Sequence, residues 1–195
     1  MNVNRAALIM TFLALVVLLG TRVGSAQGDP CSPARAGSTA RAADRVKVVL
    51  TTELRKVSLR DSLVLDVALR NDGRNPIFVY ADIGWGYGAG LVIHFRNDRG
   101  KEVGPTFSDD TMLPPPPSND DPTMFARLDR GNFFGTRREL PLKEYLNAPG
   151  KYTLQIEYWS RLPCHFVDPK LQQLPAVWHE DGSIFSNEVP IDVVP

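Results

Sequence analysis

The densest group of chemistry-bearing side chains in this sequence is His165, Asp168, Trp178, His179, Glu180 and Asp181, all within one late stretch. Imidazole nitrogens and carboxylates are the usual donors of transition-metal sites. The spacing here argues against such a site. No HExxH pair is present to set two imidazoles on one helix face, and neighbours such as His179, Glu180 and Asp181 seldom converge on one ion. Asp109-Asp110 and Asp120-Asp121 would offer oxygens to calcium, yet they lack the alternate-residue spacing and central glycine of an EF-hand loop. Nucleophilic catalysis has no better footing, because there is no Gly-x-Ser-x-Gly elbow and none of the three histidines adjoins a nucleophile motif. His94 falls on the solvent-side register of its strand and reads as a surface histidine. The expectation is a protein with no catalytic residues, no metal and no cofactor.

Three further groups have the right chemistry for other tasks. Gly84-Trp85-Gly86-Tyr87-Gly88-Ala89-Gly90 is glycine-rich, but a phosphate-cradling loop must open a helix, and this one leads into an alternating strand. It reads as a connection carrying Trp85 and Tyr87 to the rim, where the aromatics either stack on a sugar or grip a partner, with Trp178, or fold down to cap the sandwich. Cys31 and Cys164 are the only two cysteines, and an even count in an exported chain favours a disulfide tying the N-terminal stretch to a late loop. Cys164 follows Pro163 in a loop, without the helix N-terminus or cationic setting that activates a thiol.

Export is the reading of the N-terminus. Arg5 precedes an apolar run from Ala6 to Gly20, and Gly24-Ser25-Ala26 supplies the small residues of a cleavage site, so residues 1–26 are expected to be a signal peptide. The run is shorter than the roughly 20 residues a spanning helix needs. Localisation is therefore expected to be secreted or periplasmic, with no stable membrane insertion after cleavage. Removing Arg5 and Arg22 takes the formal net charge from 0 to −2. A near-neutral chain with scattered basic residues gives no reason to expect nucleic acid as a partner.

The elements that must hold these groups read as strands. Residues 27–44 are small, polar and basic without an apolar period and suggest a flexible leader, which puts the domain at 45–195. Val46, Val48 and Leu50 alternate with polar or smaller neighbours; Leu63, Leu65, Val67 and Leu69 do so more strongly. Ile77 to Tyr80, then Leu91, Ile93 and Phe95, continue the series, with Asn97-Asp98-Arg99-Gly100 as a hairpin turn. A long insertion from Gly104 to Thr123 carries Pro114-Pro115-Pro116-Pro117, which donates no backbone hydrogen bonds and cannot be a central strand. After Met124 to Leu128 and Asn132 to Leu142, one helical turn precedes the clearest strand of all. In Gly150 to Tyr158, Tyr152, Leu154, Ile156 and Tyr158 share one face while Thr153, Gln155 and Glu157 share the other. A second long loop, 160–183, leads to a last strand in which Pro190 marks an edge-like position. About seven to nine short strands with little helical period predict an all-β, antiparallel sandwich with two long loops.

At Leu146-Asn147-Ala148-Pro149-Gly150-Lys151-Tyr152 the chain resembles the immunoglobulin and fibronectin type III sandwiches, in which a tyrosine opening the sixth strand bonds back to upstream backbone. The resemblance, to bacterial secreted Ig-like domains, covers roughly Arg45 to Val194 and implies a structural role for Tyr152. It departs from the antibody pattern in that Val67, and Leu154 or Ile156, stand where paired sandwich cysteines would be. Such domains serve many functions. The leading expectation is an exported, non-catalytic module that binds a protein through its long loops or a sheet edge. The alternatives are a glycan-binding module built on Trp85, Tyr87 and Trp178, and a protease inhibitor displaying the Pro114–Pro117 loop.

Overall fold

The computed structural model describes Cys31 and residues 41–86, 88–104 and 119–195. Residues 1–26, expected to be a signal peptide, most of the expected 27–44 leader, Tyr87, the Asp109-Asp110 pair and the Pro114–Pro117 stretch lie outside the described residues. In chain order the strands are β1 (Val46–Thr52), β2 (Lys56–Ser58), β3 (Ser62–Asn71), β4 (Ile77–Tyr80), β5 (Gly84–Trp85), β6 (Gly90–Asn97) and β7 (Glu102–Val103). Then come β8 (Phe125–Leu128), β9 (Phe133–Pro141), the single-turn helix α1 (Leu142–Tyr145), β10 (Gly150–Tyr158), β11 (Ile184–Phe185) and β12 (Val189–Val194). The protein is all-β.

Period-two alternation decides which side chains go inward. In β3, Leu63, Leu65, Val67 and Leu69 are all buried, and in β10 so are Tyr152, Leu154, Ile156 and Tyr158. One sheet runs β1-β3-β9; the other runs β2-β12-β10-β6-β5, with β7 on β6 and β11 on β10. Their inward residues meet in one apolar cluster that also takes in Leu142, Tyr145 and Leu146 from α1 and its exit. Burying each of these side chains contributes roughly 1.5 to 3 kcal/mol before chain entropy is subtracted.

Two features differ from the expectation. Among the described residues there are twelve strands rather than seven to nine, because β2, β5 and β11 are two or three residues long and too short to show a period. The pairing is also mixed. β12 pairs parallel with β2, and β5 pairs parallel with β6. The first arises because the chain leaves β1 at Thr52 and crosses to the opposite sheet before returning as β3, so β2 arrives beside β12 running the same way. Pro190 lies in a β12 segment that pairs with β10 alone, since the β2 ladder begins only at Asp192, so its missing N–H breaks no hydrogen bond there.

A smaller layer covers one side. β4 and β8 form a two-stranded antiparallel sheet, and the 160–183 segment lies along it, with Phe78 N donating to the Pro175 carbonyl and Val177 N to the Phe78 carbonyl. Between them a second apolar cluster holds Tyr80, Met124, Phe125, Leu162, Cys164, Val167, Ala176 and Trp178. The Cys31–Cys164 disulfide anchors this layer across a sequence separation of 133 residues. Among the described residues no helix is long and apolar enough to cross a membrane.

Candidate functional site

The outward face of β6 and β10 carries a hydrogen-bonded group of polar side chains. Antiparallel pairing sets Val92 opposite Glu157, His94 opposite Gln155 and Arg96 opposite Thr153, all on that face. β7 adds Glu102 opposite Arg96, and β11 adds Phe185 opposite Glu157. Four strands thus converge on His94.

Both imidazole nitrogens are engaged. Nδ1 lies 2.6 Å from Glu102 Oε1, and Nε2 lies 2.8 Å from Glu157 Oε2. A neutral imidazole has a single N–H and can donate to only one of these carboxylates; the imidazolium donates to both. The ring is only 15% exposed, and the Phe185 ring sits beside it with centroids 6.1 Å apart. Glu157 is fixed from its other side by the Ser183 hydroxyl, which donates to Oε1. Next along the face, Arg96 donates to Glu188 at 2.7 Å and to the Gln155 side chain, whose amide in turn donates to the Ser186 carbonyl. The result is two neighbouring polar groups on one face, the first beside Phe185, which is 53% exposed.

The residues singled out in the sequence are not brought together there. Trp85 is 9% exposed and Trp178 is 8% exposed, and they belong to different apolar clusters. The Arg138 guanidinium lies over the Trp85 ring at 5.4 Å, and Phe125 meets Trp178 edge-on at 5.5 Å. The backbone on both sides of Trp85 is tied to the strand that follows, Gly84 N donating to the Ala89 carbonyl and Gly86 N to the Leu91 carbonyl. Trp85 therefore folds inward. An exposed stacking platform built on these two tryptophans is not what the fold presents, and Tyr87 lies outside the described residues.

The late polar stretch also diverges. His165 Nδ1 faces Glu180 Oε1 at 3.1 Å, whereas His179 Nδ1 faces the Ser160 carbonyl and its ring meets Trp159 at 5.3 Å. Asp168 Oδ1 accepts from Lys170 N and Asp181 Oδ2 from Trp178 N, both as turn caps. Burial pushes the Asp181 carboxyl up from its ordinary value, with the Trp178 amide opposing it. Asp121 likewise caps a turn by accepting from Thr123 N. Among the described residues no group of three or more His, Cys, Asp or Glu side chains is arranged to hold a metal. Cys31 and Cys164 are bonded to one another, and the Tyr152 hydroxyl donates to the Ala148 carbonyl at 2.8 Å.

No protein-family model matches the chain, and no curated protein matches it. His94 was legible only as an outward residue. Its partners lie 8 and 63 positions away, and the one usable sequence signal was the alternation that put His94 and Glu157 on the outward faces of adjacent strands.

Proposed function

We propose that the chain is an exported, non-catalytic immunoglobulin-like sandwich that binds a protein partner. Strand order supports the immunoglobulin-like part: β1-β3-β9 and β12-β10-β6 correspond to the A-B-E and G-F-C orders of that architecture. The Tyr152 bond to Ala148 at the start of β10 matches its tyrosine corner. Export is supported by the disulfide, which persists in oxidising compartments. The non-catalytic part rests on the partners of the reactive side chains. Both cysteines are consumed by the disulfide, and the sequence carries no Gly-x-Ser-x-Gly elbow to supply another nucleophile.

Phe185 carries the binding reading. It is one of four large apolar side chains left exposed among the described residues, and it stands beside the His94 ring and opposite Glu157, both held by hydrogen bonds. An apolar centre with a polar rim is the anatomy of a protein-binding patch. A photo-crosslinking residue placed at 185 in the native envelope is expected to capture one discrete partner, with a control at Leu54 capturing none. Adducts absent at 185, or equal at both positions, would overturn the reading.

A further inference from the structure

His94 is held from both sides, which a solvated surface histidine would not be. The charged groups facing the imidazole are Glu102 from β7 and Glu157 from β10; Arg96, two residues along β6, is already held by Glu188 and Gln155. β11 presents the uncharged Phe185 ring, and the Ser183 hydroxyl just before it binds Glu157. We propose that His94, Glu102 and Glu157 form a proton-controlled latch that holds β7 against the edge of β6.

With the imidazole protonated, Nδ1–H and Nε2–H donate to one carboxylate each and both contacts are attractive. Loss of one proton leaves a single N–H and one bare nitrogen whose lone pair faces a carboxylate oxygen at under 3 Å. One contact must then give way, and the two are unequal. Glu157 is 20% exposed, lies in the nine-residue β10 and accepts from Ser183 as well. Glu102 is 59% exposed and lies in a two-residue strand whose ladder covers only Phe95 and Arg96. The remaining N–H stays with Glu157, and Glu102 is released. Its departure removes the side-chain tie on β7 and loosens the edge of β6 that faces away from β10 and β11, so this sheet edge opens with the pH the protein meets.

Hydrogen exchange of the full chain tests this at about pH 5 and about pH 9, with rates divided by their intrinsic pH-dependent values. Protection of the β7 amides is expected to fall by about tenfold at the higher pH, the scale of one charge-assisted hydrogen bond, while β10 protection holds. In Glu102→Gln and in His94→Gln the β7 protection should be the same at both pH values. The β10 amides report in each variant whether the fold is intact, and Glu102→Gln, at an exposed position, serves if His94→Gln does not fold. Equal β7 protection at the two pH values in the wild type, or an undiminished tenfold change in Glu102→Gln, overturns the proposal.

Discussion

The side-chain amide of Asn187 pairs with both backbone groups of Leu50: Leu50 N donates to Oδ1 at 2.9 Å, and Nδ2 donates to the Leu50 carbonyl at 3.0 Å. Leu50 lies in β1, an edge of the three-stranded sheet, and Asn187 lies where β11 breaks before β12 in the other. One carboxamide therefore does for β1 at this point what another strand would do, and it ties the two sheets at their shared edge. Replacing Asn187 with Ala leaves a donor and an acceptor of a buried residue without partners. The expected loss is about 1 to 3 kcal/mol. Urea unfolding should show a lower midpoint with an unchanged slope; an unmoved midpoint would mean that water satisfies Leu50 equally well.

Tyr152→Phe removes only the hydroxyl that donates to Ala148 and keeps the ring, which belongs to the larger core cluster. A single hydrogen bond of this kind contributes about 1 kcal/mol. Thermal unfolding should show a loss of that size with native far-ultraviolet circular dichroism retained, whereas a change near zero would leave the corner without an energetic role.

Replacing both cysteines with serine should destabilise the protein by about 2 to 4 kcal/mol, because the unfolded chain regains the freedom of a long closed loop. The loss should be uneven. Cys164 packs in the smaller cluster with Trp178 and Leu162, while β3 and β10 pack in the larger one. Amides of residues 160–178 are expected to exchange faster before those of β3 and β10 do. Uniform acceleration across both layers would show that the two clusters unfold as one unit.

Gly135 sits opposite Ala68 in the β3–β9 ladder, and a Cβ on it would fall 2.2 Å from the Val67 carbonyl oxygen. Only glycine allows so close an approach of one backbone to another. Gly135→Ala should therefore cost at least about 2 kcal/mol, as the backbone has to move. Gly104→Ala, with nothing within 4 Å of the new methyl group, is the control and should stay within about 0.5 kcal/mol of wild type. Equal effects in the two variants would be inconsistent with the β3–β9 register.

Acid titration should reveal two carboxylates acting in opposite senses. Hydrogen bonds from Arg70 and then Lys47 hold Asp72 down to about 2, so its contribution is present above the ordinary value of 3.8 and is lost as pH falls from there toward 2. Burial raises Asp181, so its contribution is full below 3.8 and is lost as pH rises through its higher folded value. Asp72→Asn should flatten the stability profile below 3.8. Asp181→Asn keeps a cap acceptor for Trp178 N and should gain on wild type at neutral pH. A loss there would mean that the buried charge is better compensated than its surroundings indicate.

Much of the fold was legible because long strands carry their own period. Leu63 to Leu69 and Tyr152 to Tyr158 alternate over enough residues to fix both the element and its buried face, and both faces are buried as the pattern requires. β2, β5 and β11 have too few residues to repeat anything and form only because a longer strand offers them an edge. Trp85 stayed open between rim and cap for a related reason. Its glycine-rich surroundings read as a mobile rim, but backbone hydrogen bonds from Gly84 and Gly86 close the loop and turn the indole under Arg138.

The sequence by itself determined the all-β class, the faces of the long strands and the one pairing available to two cysteines. Those depend on local period, composition and count. Only the tertiary structure decided that His94 stands between Glu102 and Glu157, that Asn187 closes the edge at Leu50 and that the two tryptophans lie in separate clusters. Each of these relations joins residues whose proximity is set by strand register or by the meeting of two layers, and register is a property of the assembled sheets that no single stretch of sequence carries.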